Sequence, residues 1–251
     1  MKAKDLTNEE LAIILRCMAV TRLSSTLFER ECLNVAADRV ELLEMLTIKE
    51  DKMLNGIDIS HYKFYMKNLH DLNLMDFVIM KATEGVRFKD SKMPVYMNVL
   101  DKDKLYGFFH FARPDLGNDP EDEALHFVNY IRKYISNRSI LALDVEAGAL
   151  AVPNLDQWCT IWAQVVEIET GILPMIYCSS EETKRFRGTA ALGCGLWVAK
   201  WGRKPTAKQI EPWPFWAIWQ FTNKGNFSGQ RVDLDVFNGS REQYMKYCKV
   251  D

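Results

Sequence analysis

The chain has 251 residues and a formal net charge of −2 at pH 7, from 32 basic and 34 acidic side chains. Apolar residues make up 48% and charged residues 26%, which is typical of a folded globular protein and excludes intrinsic disorder. The near-zero charge argues against nucleic-acid or anionic-membrane partners, which usually require a basic excess, and favours a small or neutral ligand.

Residues 1–52 are predicted to form a helical extension to the rest of the chain. They contain no Gly, Pro or Trp, and Thr7 followed by Glu10 has the form of a capping box before apolar residues at helical spacing. Docking, targeting and self-association are three uses that the sequence leaves open.

The first residues lack the basic and apolar regions of a secretory signal. No apolar run approaches the roughly 18 residues of a membrane-spanning helix, so we expect no stable membrane insertion.

Cysteines and histidines show no spacing typical of a metal site. The six cysteines form no CxxC pair, and the four histidines form no HxxxH pair. We therefore expect reduced structural thiols, no metal and no other cofactor.

From Asn55 onward, short strand-like runs alternate with segments of helical character. Strands are predicted at residues 56–60, 77–82, 105–111, 139–145, 173–178, 196–200, 215–221 and 231–236. Helices fit between the first five strands, whereas the last three leave little room for helices. The order predicts an α/β fold in which residues 53–251 form a TIM-like barrel that is completed by strands alone.

Acidic residues recur near the ends of three predicted strands. Residues two apart on a strand project to the same side, so Asp144 and Glu146 share a face opposite to their aliphatic neighbours. Asp58 and Asp233 likewise alternate with branched aliphatic residues. Each acid alone fits a turn or a helix cap, but their coincidence predicts a carboxyl cluster at the mouth of the barrel. Crowding raises the pKa of at least one such group, which gives the acid and the carboxylate that glycoside hydrolysis requires.

Aromatic residues at or near strand ends are suited to stacking on sugar rings. These residues are Tyr62, Tyr177, Trp197, Trp201, Trp216 and Trp219. Core packing is the alternative for each of them, and we favour it for Trp213 and Trp216.

Eight motifs occur in an order that is found in a known family. They are GIDIS at 56–60, KATEG at 81–85, YGFFHFARP at 106–114, ALDVE at 142–146, MIYCS at 175–179, LWVAKWG at 196–202, WQFTNKG at 219–225 and VDLDVFNG at 232–239. Over about residues 54–240, the sequence resembles glycoside hydrolase family 25, the lysozymes also called Chalaropsis-type muramidases. The resemblance implies a (β/α)5(β)3 barrel that cleaves the β-1,4 bond between N-acetylmuramic acid and N-acetylglucosamine in peptidoglycan strands.

The resemblance also implies roles for individual residues. Glu146 corresponds to the proton donor, and Asp144, Asp58 and Asp233 would stabilise charge or activate water. The residues expected to bind the glycan are Lys81, Glu84, His110, Tyr177, Trp197, Lys200, Trp219 and Gln220. Many members are phage endolysins, so the missing signal suggests a phage or prophage enzyme made in the bacterial cytoplasm and released through a holin. Bacterial wall remodelling is the alternative role.

Three positions depart from the usual family pattern. His61-Tyr62-Lys63 stands where Trp-Gln-Gly is common, and Phe109 replaces a Tyr. Asp235 occupies the Asn position of the VDxN form, so the family role passes to Asp233. The changed His61 and Phe109 positions and the added helices leave open a second hypothesis, a catalytically weak barrel that binds peptidoglycan.

Overall fold

The structure, a computed structural model, describes residues 53–61 and 68–248. The helical extension predicted for residues 1–52 lies outside the described residues, as does Tyr62, so these two predictions remain predictions. Within the described ranges, no helix combines the length and the apolar character needed to cross a membrane.

The described strands form one sheet that closes on itself. They are β1 (Leu54–Ile59), β2 (Phe77–Glu84), β3 (Phe88–Lys89), β4 (Leu105–Phe111), β5 (Ser139–Asp144), β6 (Met175–Ser179), β7 (Leu196–Ala199), β8 (Ile218–Phe227) and β9 (Gln230–Phe237). All except the short β3 build an eight-stranded barrel, in which β1 pairs in parallel with β2 and antiparallel with β9. The pairings from β2 to β8 are parallel, and β8 and β9 are antiparallel. The predicted TIM-like barrel with a strand-only final part is confirmed.

Helices cover the outside of the parallel strands, and the last of them packs against one end of the barrel. They are α1 (Met93–Met97), α2 (Pro120–Ile131), α3 (Leu155–Thr170), α4 (Arg187–Leu192) and α5 (Arg241–Met245), and a 3-10 helix (Leu69–Leu74) precedes β2. Pro120 occupies the first turn of α2 beside three acidic residues, a combination that suits the positive end of the helix dipole. Helix α3 ends at Gly171, whose φ of 71° satisfies the left-handed position of a C-cap.

Alternate residues of each strand face two separate apolar layers. On β5, Leu141 and Leu143 pack outward with Phe127 of α2 and Trp162 of α3, while Ala142 packs in the barrel interior. This is the alternation predicted around the acidic residues. The aliphatic residues therefore anchor the strands to the helices and leave the other face to line the barrel.

The lower end of the barrel, formed by the amino ends of the parallel strands, is closed by aromatic packing. Tyr244 of α5 is fully buried, packs against Phe77 and Phe237, and donates a hydrogen bond to the carbonyl of Tyr106 at 2.8 Å. The ring of Phe77 fills the space over Gly56, where an added Cβ would lie 2.2 Å from ring atoms. Among the described residues, this aromatic packing blocks the lower end of the barrel to a ligand.

Strand β8 begins later and extends further than the predicted range 215–221. Pro214 and Phe215 lie in the exposed loop before it, and the strand runs through the polar segment that follows Phe221. Pairing with β9 supplies the backbone partners that this polar segment needs. Ser228 and Gly229, with φ of 49° and 76°, form the turn that joins the two strands.

Gly56→Ala is expected to destabilise the barrel, because the new methyl group would overlap the Phe77 ring. Overpacking of this kind costs about 1–3 kcal/mol, measured as the free energy of unfolding in denaturant. The double variant Gly56→Ala/Phe77→Leu should be more stable than the sum of the two single effects predicts. Simple additivity of the two changes would contradict this packing.

Candidate active site

A cavity of about 480 Å³ opens at the carboxyl ends of the parallel strands. Its described lining residues are Asp58, Ile59, Ser60, Lys81, Glu84, Phe109, Phe111, Asp144, Glu146, Tyr177, Trp197, Trp201, Gln220, Asn223, Val232 and Asp233. This is the end at which barrels of this type usually carry their active sites. Because β9 runs antiparallel, it contributes its first residues to the cavity rather than its last.

The four predicted catalytic acids all line this cavity. Asp58 lies directly opposite Asp233 in the pairing of β1 with β9. Asp144 is the last residue of β5, and Glu146 follows two residues later, just before Ala147 turns the chain with a φ of 51°. Asp144 is only 7% exposed, whereas Glu146 is exposed. Two neighbouring acids therefore occupy different environments.

Burial raises the pKa of Asp144 well above its usual range, and the negative charge of Glu146 raises it further. The ammonium of Lys81 opposes this shift, but burial dominates. Among the described residues, none donates a hydrogen bond to Oδ1 of Asp144, as would be needed to stabilise a charge there. Asp144 therefore keeps its proton to a higher pH than an ordinary Asp side chain does.

Gln220 fixes the orientation of Asp58. Its Nε2 donates to Oδ2 of Asp58 at 2.7 Å, while its Oε1 accepts from the hydroxyl of Tyr177 at 3.1 Å and from Nε1 of Trp201 at 3.3 Å. The two donors on Oε1 determine which way the amide points, because an amide nitrogen could not accept from them. The Gln220 amide thus directs an N–H group to Asp58.

A chain of ion pairs borders the acids on the other side. Nζ of Lys81 lies 2.7 Å from Glu84 and 4.5 Å from the centroid of the Phe111 ring, and Arg113 contacts Glu84 at 2.8 Å. Burial raises the pKa of Glu84, but the hydrogen bonds from Lys81 and Arg113 outweigh it and leave that pKa below its usual value. Lys81 therefore has a fixed place beside the carboxyl cluster.

Most of the predicted glycan-binding residues line the cavity, but three lie elsewhere in the described structure. Lys81, Glu84, Tyr177, Trp197 and Gln220 line it. The others are His110, Lys200 and Trp219. Trp219 projects from the outer face of β8 and donates to the carbonyl of Lys200 at 2.6 Å. Trp219 lies on the outer side because strand alternation points it away from the cavity, whereas Gln220, the next residue, faces inward.

His110 is fully buried on the outer face of β4, where it stacks on Trp162. Burial lowers its pKa despite the nearby carboxylate of Glu123, so the imidazole is neutral. Nε2 lies 2.7 Å from Glu123, and Nδ1 lies 2.7 Å from the hydroxyl of Thr83. Glu123 also accepts from the backbone N–H of Arg113, which positions the loop that carries the Arg113 side chain. His110 is a scaffold residue in this structure, not a lining residue as predicted.

The aromatic residues divide into cavity floor, rim and core. Tyr177 and Trp197 contact each other edge to face at 4.8 Å and are almost buried, whereas Trp201 at the rim is 59% exposed. Trp213 and Trp216 are core residues, as predicted. The cysteines of the described segments, residues 159, 178, 194 and 248, are buried free thiols.

The sequence analysis gave no role to one acid that lies beside the site. Asp235 is 1% exposed and accepts a hydrogen bond from Nε1 of Trp197 at 2.8 Å, below the cavity. It lies two residues beyond Asp233 on β9 and therefore shares its face. That spacing was the available signal.

The family model described as Glycosyl hydrolases family 25 matches residues 57–230. Lysozyme M1 of Streptomyces globisporus is 29% identical over 205 residues, which cover 74% of this chain and 68% of that protein. An N,O-diacetylmuramidase of Arthroderma benhamiae is 26% identical over 190 residues, or 69% of this chain and 77% of that protein. The crystal structure of a bacterial lysozyme from Streptomyces coelicolor superposes with a TM-score of 0.67 at 26% identity, covering 78% of this chain and 96% of that one.

His110→Ala is expected to lower the free energy of unfolding by about 2–5 kcal/mol, because it removes a fully buried side chain together with its hydrogen bonds to Glu123 and Thr83. His126→Ala is the matched control, since His126 makes one partly buried hydrogen bond to the Phe88 carbonyl and its loss should cost about 1 kcal/mol. Denaturant unfolding measures both. Equal losses in the two variants would show that the His110 network does not hold this part of the fold.

Proposed function

The chain belongs to glycosyl hydrolase family 25, and from this premise we propose that it is a lysozyme that cleaves peptidoglycan between N-acetylmuramic acid and N-acetylglucosamine. The observation that carries the proposal is the group of four carboxyl side chains in one cavity, with buried Asp144 next to exposed Glu146. Glycoside hydrolysis needs one acid to protonate the leaving oxygen and one carboxylate to meet the positive charge that develops.

Glu146 delivers the proton to the glycosidic oxygen in this proposal. It is the more exposed member of the Asp144–Glu146 pair, so a glycan in the cavity can contact it directly. Asp144 lies buried behind it, and because two neighbouring carboxyl groups resist ionising together, the pair retains a proton that Glu146 can deliver. General acid catalysis of this kind contributes about 10²- to 10⁴-fold to the rate.

The remaining acids stabilise the oxocarbenium-like transition state. Asp58 is held by Gln220, and Asp233 lies directly across the strand pair from it. Among the described lining residues, five are acidic and one, Lys81, is basic, so the cavity favours a developing positive charge. The same excess of acids suits a neutral sugar better than an anionic ligand.

The exposed ring of Trp201 offers a stacking surface for a sugar at the rim. Its Nε1 donates to Gln220, which fixes the ring near the residue that orients Asp58. Sugar binding at Trp201 is therefore linked to the geometry of the acid cluster.

The departures from the family pattern leave the acids in place. His61 contacts Asp90 at 2.9 Å, and Phe109 packs edge-on against Trp197 at 6.1 Å. Phe109 lines the cavity together with the four predicted catalytic acids, which favours a hydrolase over a barrel that only binds.

Glu146→Gln is expected to fold normally and to lose about 10²- to 10⁴-fold in the rate of peptidoglycan hydrolysis, because the amide cannot supply the proton. The measurement is the release of reducing ends from purified Gram-positive peptidoglycan, with mass analysis of the fragments. Glu121→Gln, at an exposed acid of α2, is the control and should keep full activity.

Fragments that end in N-acetylmuramic acid, released by the wild type and not by Glu146→Gln, would agree with both the reaction and its acid. Near-wild-type release by Glu146→Gln would overturn the assignment of the acid. Wall binding without any release by the wild type would instead favour the binding barrel.

We further propose that the enzyme acts as a phage or prophage endolysin, made in the bacterial cytoplasm and released to the wall through a holin. The support for this role is the sequence resemblance to a family that includes many endolysins. Expression of the full chain in a bacterial host should leave cells intact until a holin is co-expressed, after which turbidity should fall abruptly. Lysis or secretion of the full chain without a holin would contradict this role and favour wall remodelling.

A further inference from the structure

Asp235 is a buried carboxyl group for which the proposed mechanism has no use. It is 1% exposed, and Nε1 of Trp197 donates to its Oδ1 at 2.8 Å. No N–H or hydroxyl group among the described residues donates to its other oxygen, Oδ2. If Asp235 were ionised, its Oδ2 would be buried away from water without a hydrogen-bond donor. Burying a charged oxygen in this way costs a large desolvation free energy.

The carboxyl of Asp58 is the second hydrogen-bonding side chain that reaches Asp235. In the pairing of β1 with β9, Asp58 lies opposite Asp233, and Asp235 lies opposite Gly56. Asp58 and Asp235 are therefore diagonal neighbours on the inner face of the barrel. Two carboxyl groups can form a hydrogen bond only when one of them carries a proton.

We propose that Asp235 is a positioning residue that carries a proton and donates it in a hydrogen bond to Asp58, so that the two side chains hold one proton between them. Trp197 then donates to Oδ1 of Asp235, and the acid proton on Oδ2 satisfies the remaining oxygen. Asp58 receives two donors, Asp235 from below and Gln220 from the side. Its carboxylate is thereby held in one orientation toward the cavity.

Solvent access decides which of the two acids keeps the proton. Asp58 lines the open cavity and is half-buried, whereas Asp235 lies beneath it. Burial raises the pKa of Asp235 well above its usual range, and the charge of Asp58 raises it further. The negative charge of the pair is therefore better solvated on Asp58.

The other titratable groups around Asp235 reinforce this distribution. Asp233 on the same strand adds negative charge, and the hydroxyls of Tyr177 on β6 and Tyr244 on α5 interact with Asp235 while neutral themselves. Burial raises the pKa of both tyrosines, so neither adds a charge near neutral pH.

This inference rests on the proposed function for the use of Asp58, but its first test is independent of activity. An unfolded Asp titrates near pH 4, whereas folded Asp235 would keep its proton above that pH, so folding becomes less favourable as the pH rises. Asp235→Asn keeps the shape and an N–H donor but cannot ionise. Between pH 4 and the pKa of folded Asp235, the wild type should lose stability as the pH rises, whereas Asp235→Asn should not. The difference in melting temperature, Asp235→Asn minus wild type, should therefore grow by about 3–5 °C for each pH unit in this range.

The matched control is Asp103→Asn at an exposed carboxyl, whose melting temperature should follow that of the wild type across the same pH range. A constant difference between Asp235→Asn and the wild type would overturn the shared proton. If Asp235→Asn fails to fold, titration of the aspartate carboxyl carbons of the wild type by NMR decides instead. A resonance of Asp235 that titrates in the ordinary range would overturn the proposal.

A second comparison separates positioning from simple packing. In Asp235→Asn, the amide can donate to Asp58 and accept from Trp197, so we expect kcat for peptidoglycan hydrolysis to be largely retained. Asp235→Ala removes the donor and should lose about 10- to 100-fold in kcat per folded molecule, with little change in KM. Equal kcat values for the Asn and Ala variants would overturn the positioning role. If the wild type does not hydrolyse peptidoglycan at all, the proposed function fails while the melting measurement still tests the shared proton.

Discussion

The antiparallel pairing of β9 with β1 is the constraint on which the site depends. In a barrel built of parallel strands alone, every strand would contribute its carboxyl end to the cavity. The antiparallel strand β9 closes the barrel and places Asp233 directly across from Asp58. Asp235, two residues further along β9, lies on the same face but deeper in the barrel. Residues about 175 positions apart in sequence thereby become neighbours on one face. The carboxyl cluster is thus a consequence of how the barrel closes.

Crowded acids are costly to bury, and the structure offsets that cost by giving each a different environment. Asp144 is buried and has a raised pKa, and Glu146 is exposed. Asp58 receives an N–H group from Gln220, whose own orientation is fixed by Tyr177 and Trp201. Differences in burial and in hydrogen-bond donors, rather than in residue type, therefore give chemically similar carboxyl groups different pKa values. Such separation allows acid and carboxylate roles to coexist in one cavity of about 480 Å³.

The outer layer supports the cluster through a second set of polar contacts. His110 and Glu123 form a buried pair behind β4, and Glu123 accepts the backbone N–H of Arg113. The Arg113 side chain then contacts Glu84, which holds Lys81 at the edge of the cavity. A continuous series of hydrogen bonds therefore joins the helix layer to a cation beside the acids. The full burial of His110 makes this series rigid rather than accessible to a ligand.

The sequence alone determined the alternation of acids with aliphatic residues, because a strand has a period of two. That alternation identified the inner face of β5 and the four acids that line the cavity, and the succession of strand-like and helical segments predicted the barrel. It did not assign an inner or outer face to each residue at a strand end, so His110, Lys200 and Trp219 were expected in the cavity. Only the tertiary structure decided these positions, since sidedness depends on strand register and on which layer packs against each face. The same holds for Asp235: its partners, Trp197 and Asp58, lie on other strands, and no local pattern reveals a contact that barrel closure creates.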